Sequence, residues 1–195
     1  HKEYRRQRQM CIRDRPCLTL AGYAKGCDQN LGGIKKIALF EKAGLSGSTA
    51  YDATGMTTTL ALSAGYSAYT YEFLKDNSNW VEPIVGDGIL TSVHWDPTIT
   101  LVFRKMSGAL RYQIYEMSKG QLCAINRDFN DIYWLIGVDR GLDLIASGGG
   151  SSGSKLEELN GYTIILKGTE PQPAHTIDMT GAGISTAIKA LFCLL

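Results

Sequence analysis

The residues that could perform chemistry are few, and each suggests a definite reaction to weigh. Gly148 and Gly153 have the separation found in a phosphate-cradling loop, and Lys155 follows closely. In such a loop glycine lets backbone N–H groups converge on phosphate while lysine neutralises its charge. Here Ser154-Lys155 inverts the required Lys-Ser/Thr order, and Leu144-Ile145-Ala146 leads into no helical pattern, so phosphate binding is not expected. His94, in Val93-His94-Trp95-Asp96-Pro97, has no GxSxG elbow or other evident nucleophile to serve, and it reads as structural. Asp128, Asn130 and Asp131 offer oxygens to a hard cation, but the glycine and distal glutamate of a calcium loop are missing, so a hairpin turn explains them. Trp80, Trp95 and Trp134, with ten tyrosines, could build a sugar or base platform. They are scattered and several fall in strand patterns, so core and interface use is expected instead.

Two further patterns complete the chemical inventory. Asp178 to Thr186, DMTGAGIST, resembles the Asp-Thr-x-Gly-Ala-Gly-Asp signature of ribokinase-type sugar kinases, whose final Asp is a general base above an anion hole. Ile184 stands where that Asp belongs, which removes the proton acceptor, and a Gly-rich turn before a terminal helix is the expected structure. Metal ligands at short spacing are also lacking. His94 and His175 are far apart, and Cys17, Cys27, Cys123 and Cys193 form no CxxC pair. The cysteines read as free thiols, with a Cys17–Cys27 disulfide as the alternative. No catalytic, cofactor-binding or metal-binding residue is assigned, and the chain is expected not to be an enzyme.

The elements that would position any site are predominantly strands. Gly32 to Ala43 reads as the first, around Ile34, Ile37, Leu39 and Phe40, and Gly44 to Gly65 suits strand edges and a long loop. Thr70 to Leu74, Ile84 to Val85, Ile89 to Trp95 and Thr98 to Arg104 follow, with turn chemistry at Gly86-Asp87-Gly88 and Asp96-Pro97. In the last of these Ile99, Leu101 and Phe103 share one face at period two. One helix is predicted from Ser107, its N-cap, to Gly120, its stop, because Leu110, Ile114 and Met117 recur at i, i+4 and i+7. Strands then resume at Gln121 to Arg127, Ile132 to Val138, Leu142 to Ala146 and Gly161 to Gly168, and Ala174 to Asp178 is read as a closing strand. The Gly/Ser run from Ser147 to Lys155 reads as a flexible surface loop. Fold class is therefore mainly β with one flanking helix, a sandwich or barrel.

Composition sets the frame for this reading. Of 195 residues, 44% are hydrophobic, which suits one globular core. No run approaches the roughly 18 apolar residues of a membrane span, and the chain reads as soluble. Residues 1–15 stand apart: RRQRQMCIRDR, from Arg5 to Arg15, resembles the translated transposase adapter of sequencing libraries. They are taken as an artefactual adapter-derived segment, with 16–195 as a single β-rich structural domain whose own start is lost and whose Leu195 is read as a possible contig end. Removing that segment's six cations and two anions from totals of 20 and 19 leaves 14 and 17, a net of −3, which gives no support for a basic nucleic-acid footprint.

Several pieces taken in order resemble the tail-tube, or major tail, proteins of tailed bacteriophages. They are Cys17 to Cys27 leading into Leu31-Gly32-Gly33-Ile34-Lys35, the central helix, the run DFNDIYWLIGVDRG, and LEELNGYTIILKGTEPQPA. DFNDIYW departs from the Asp-x-Asn-Gly form expected at that turn. The resemblance covers roughly Cys17 to Asp178. It implies a virion structural protein, assembled in the host cytoplasm, whose homo-oligomeric rings stack with other tail proteins into a tube that passes DNA without binding it specifically. A capsid decoration or other virion protein, or a small-ligand-binding β-barrel, is the alternative. The Gly/Ser segment and the 32–40 strand, read as a terminal edge, are expected to carry subunit contacts.

Overall fold

The computed structural model describes residues 30–45, 47, 49–52, 55–74, 77–86, 93–155 and 157–192. The adapter-like segment 1–15, the Cys17–Cys27 alternative and Cys193 lie outside them. In chain order the strands are β1 (Ile34–Glu41), β2 (Ala50–Tyr51), β3 (Met56–Thr59), β4 (Tyr69–Glu72), β5 (Asn79–Val81), β6 (Ile84–Gly86), β7 (Val93–Trp95) and β8 (Thr98–Arg104). Helix α1 (Gly108–Met117) precedes β9 (Leu122–Asp128), β10 (Tyr133–Ile136), β11 (Leu142–Ser151), β12 (Gly161–Gly168) and β13 (His175–Ile177), and helix α2 (Thr186–Leu191) follows. The chain is mainly β, as expected; α1 is the flanking helix read from the sequence and α2 the terminal helix expected after the Gly-rich turn.

Side-chain alternation explains how the strands are layered. A bulge between Ile34 and Lys36 shifts the parity of β1, so Ile34 rejoins Ile37 and Leu39 on one face while Ala38 and Phe40 take the other. Strand β9 alternates likewise: Leu122 and Ala124 enter the first core, Cys123 and Ile125 the second. These two strands are buried on both faces over Ile37–Phe40 and Leu122–Ile125, and there the segments IALF and LCAI are apolar throughout. By contrast β8 is buried at Ile99, Leu101 and Phe103 only, the one-sided alternation seen in its sequence.

Eleven strands form one sheet, and β6 with β7 forms a separate two-stranded one. Strand β9 is the junction of the large sheet. Its one edge pairs with β1, which pairs in turn with edge strand β4. Its other edge is shared by β10 and, through Leu122 and Leu142 alone, by β11. One arm runs from β10 through β13 and β3 to β2, and the other from β11 through β12 and β8 to β5. Ile99 and Leu101 of β8, Ile164 and Leu166 of β12, and Ile37 and Leu39 of β1 meet in the first core, together with Met117 of α1. The second core lies on the opposite face of β1 and β9, where Ile184, Ile188 and Phe192 cover Phe40 and Leu135.

Four expectations are corrected by this topology. The sheet does not close into a barrel, because β2 and β5 each have one neighbour among the described residues. The Ala174 to Asp178 segment is no closing strand; β13 lies inside the sheet, antiparallel to β10 and parallel to β3. Strand β1 is internal, between β4 and β9, and offers no terminal edge. The first part of the Gly/Ser run is not a free loop, since β11 continues through Ser151, with Gly149, Gly150 and Ser151 opposite Thr163, Tyr162 and Gly161, and only Ser152 to Lys155 lie outside the strands. Glycine serves close approach there: a Cβ on Gly148 would overlap the Thr163 carbonyl oxygen.

Helix α1 begins as its sequence indicates, with the Ser107 hydroxyl oxygen accepting the Leu110 N–H at 3.2 Å. It ends before Gly120. The Ser118 N–H is shared between the Ile114 and Tyr115 carbonyls at 3.2 Å each, and Lys119 N–H reaches Glu116 O at 3.1 Å. Ser118 Oγ also donates to Tyr115 O at 2.7 Å, so the last carbonyls are satisfied without the glycine. Among the described residues no helix is long and apolar enough to cross a membrane.

Candidate functional site

The residues singled out by type are engaged in holding the fold. Asp128 Oδ1 accepts the N–H groups of Asn130 and Ile132 at 2.8 and 2.9 Å, an Asx turn that leads into β10. Asn130 accepts the Leu31 N–H at 2.8 Å and donates to Leu31 O at 3.0 Å, latching the entering chain. Asp131 pairs with Lys35 at 3.0 Å and Arg127 at 2.9 Å, and the Lys35 hydrogen bond leads the effects that hold its carboxyl below the usual range. The three oxygens-bearing side chains thus serve a hairpin turn, and among the described residues no cluster of His, Cys, Asp or Glu is arranged to hold a metal.

The two nucleotide-like loops are likewise internally satisfied. Ser154 donates its N–H and hydroxyl to Glu158 at 2.6 and 2.9 Å, so the atoms that would face a phosphate already face a carboxylate. In the 178–186 loop, Thr180 donates both its N–H and its hydroxyl to Asp178, Thr180 being the chief cause of that carboxyl's lowered pKa. Ile184 is buried at 3% exposure and bridges to Leu60, which makes this loop a lid on the second core.

His94 faces Asp96 at 3.6 Å, not a nucleophile. Burial acts to raise the Asp96 carboxyl, but hydrogen bonds from Thr169 (2.9 Å) and Lys167 (3.2 Å) outweigh it and hold the group low. His175 bonds Gly55 O through Nδ1 at 2.9 Å and stacks on Tyr51 with centroids 4.0 Å apart. Cys123 is buried, its thiol donates to Gly137 O at 2.7 Å, and burial pushes it up to about 12, so it stays protonated and unreactive near neutrality. Trp80 and Trp134 lie 5.5 Å apart, packed against the first core, and form no open platform.

Two sites are present that residue types alone did not reveal. The first is the hairpin β6–β7, where Ile84, Val85 and Val93 are 68, 40 and 50% exposed. Its base is fixed: Trp95 and Glu170 exchange backbone hydrogen bonds at 2.8 and 2.7 Å. The buried Glu170 carboxylate then accepts the N–H groups of Asp139, Arg140 and Gly141 at 3.0, 3.0 and 3.1 Å. In TEPQPA this glutamate looks like an ordinary loop residue; only the approach of the 139–141 turn shows its role. Val81 of edge strand β5, which precedes β6 in the chain, is also 53% exposed.

The second is a groove of about 570 Å³ between α1 and β4, lined by Tyr66, Tyr69, Tyr71 and Tyr112 with Glu41 and Glu116. Tyr66 lies against Gly44, where any Cβ would collide with its ring. Tyr71 meets Phe103 edge to face at 5.5 Å and its hydroxyl reaches Gln113 at 3.4 Å; burial raises its pKa. Tyr69 and Tyr112 are 64 and 62% exposed. The available signal was the alternation of Tyr69 and Tyr71 and the Tyr112/Tyr115 spacing opposite the apolar stripe of α1. No protein-family model matches the chain, and no curated protein or solved structure is significantly similar to it.

Proposed function

We propose that this chain is a self-assembling structural subunit, and specifically a tail-tube subunit of a tailed phage that stacks as rings around passing DNA. The observation that carries the proposal is the β6–β7 hairpin. Two strands alone are marginal in water, and this pair keeps apolar side chains exposed on both of its faces. Ile84 and Val93 lie on one face and Val85 on the other, so packing against its own chain leaves them uncovered. A neighbouring copy would bury them, and β2, β4 and β5, each with one strand partner among the described residues, offer further pairing. The sequence resemblance supplies the phage reading, and the net charge of −3 over 16–195 suits a channel that does not retain DNA.

The test is light scattering of the full chain against the double variant Ile84→Lys, Val93→Lys. Wild type is expected to form large particles at high concentration and the variant to remain monomeric with an unchanged circular dichroism spectrum. A wild type that stays monomeric throughout would refute self-assembly. Binding only to a preformed capsid lattice would identify a decoration protein instead.

A further inference from the structure

We propose that the groove between α1 and β4 binds an organic cation, an ammonium or guanidinium group, by seating it among tyrosine rings beside Glu41. Three features of the site favour positive charge. Tyrosine faces carry the negative part of the ring quadrupole, and Tyr66, Tyr69, Tyr71 and Tyr112 line one space. Glu41 contributes a carboxylate with no ionic partner among the described residues. The groove also opens at the C-terminal end of α1, the negative end of its dipole, where the one lining cation, Lys119, is paired with Glu116.

The same chemistry is already at work at the rim. Lys119 Nζ lies 2.6 Å from Glu116 Oε1 and 4.4 Å from the centroid of Tyr115, an ammonium held by a carboxylate and a tyrosine face. Glu116 is therefore matched by the chain's own cation and Glu41 is not, which leaves the groove one negative charge in excess. Phosphate-bearing ligands are disfavoured by that charge. Glu41 is exposed and stays hydrated, so a neutral apolar ligand gains nothing from it.

Saturation-transfer NMR on the full chain tests this with choline, with its uncharged isostere 3,3-dimethylbutan-1-ol, and with N-acetyl-arginine amide. Choline or the arginine derivative is expected to saturate the site and the neutral alcohol to give no saturable signal. Stronger binding of choline would assign a free quaternary cation, and stronger binding of the arginine derivative a side chain of a polypeptide. Glu41→Gln and Tyr69→Ala are each expected to weaken the cation roughly 3- to 30-fold, with unchanged thermal unfolding. Equal binding of choline and the alcohol, or saturation by neither cation, would overturn the proposal. Either result leaves the assembly reading untouched, since the hairpin and the groove share no lining residue.

Discussion

Glu170→Ala is the substitution whose cost can be worked most directly from the geometry. The carboxylate is 5% exposed and accepts three backbone N–H groups at 3.0, 3.0 and 3.1 Å. Asp139 and Arg140 lie at an exposed turn and recover water when the carboxylate is gone, so each loses about 0.5–1.5 kcal/mol of net hydrogen bonding. Gly141 is buried, and its N–H would be left without a partner at about 1–3 kcal/mol. The expected loss is about 3 kcal/mol, a large part of the 5–15 kcal/mol typical of a domain. Urea unfolding at a concentration low enough to keep the chain dissociated measures it. With a slope of about 2 kcal/mol/M, the midpoint should fall by about 1.5 M. Glu170→Gln keeps an acceptor of the same shape and should lose about half as much. A Glu170→Ala protein within 1 kcal/mol of wild type would refute the role assigned to this carboxylate.

Gly148→Ala should destabilise by about 1–3 kcal/mol, because the new methyl meets the Thr163 carbonyl, whereas Gly149→Ala should be near neutral, with nothing within 4 Å. Equal stability of the two in thermal unfolding would restore the flexible-loop reading of this run. Asn126 is fully buried with neither side-chain amide atom hydrogen-bonded among the described residues, so Asn126→Leu should leave stability unchanged or raise it by about 1 kcal/mol; a clear loss in urea unfolding would reveal a partner for that amide. The Asp96 carboxyl is held below its ordinary 3.8 in the folded chain, so its contribution is fully present above that value and is lost as pH falls through the lower folded value. Asp96→Asn should therefore flatten the acid limb of a stability-versus-pH curve below about pH 4; an unchanged limb would show that the Thr169 and Lys167 contacts do not govern it.

Much of the architecture was legible because single-faced burial leaves a periodic trace. Strands β8 and β12 were read at their observed bounds, and α1 from its Ser107 N-cap. The failures share a cause: they depend on what lies opposite. Glycines from Gly148 to Gly150 look like a linker until β12 is placed against them, and β5, three residues long, is too short to announce itself beside β8. Helix α1 stops at Ser118 because local hydrogen bonds satisfy its end, a preference that a downstream glycine obscures. The groove and the Glu170 turn assemble residues from distant segments, and the exposed hairpin was read as ordinary strands because exposure is a property of the packed molecule.

Negative-stain electron microscopy of the concentrated full chain tests the self-assembly account most directly. Rings or tubes of one diameter, absent from the Ile84→Lys, Val93→Lys protein, are the predicted result. Fields of single small particles in both samples, at concentrations where a weak hairpin contact would be occupied, would contradict it.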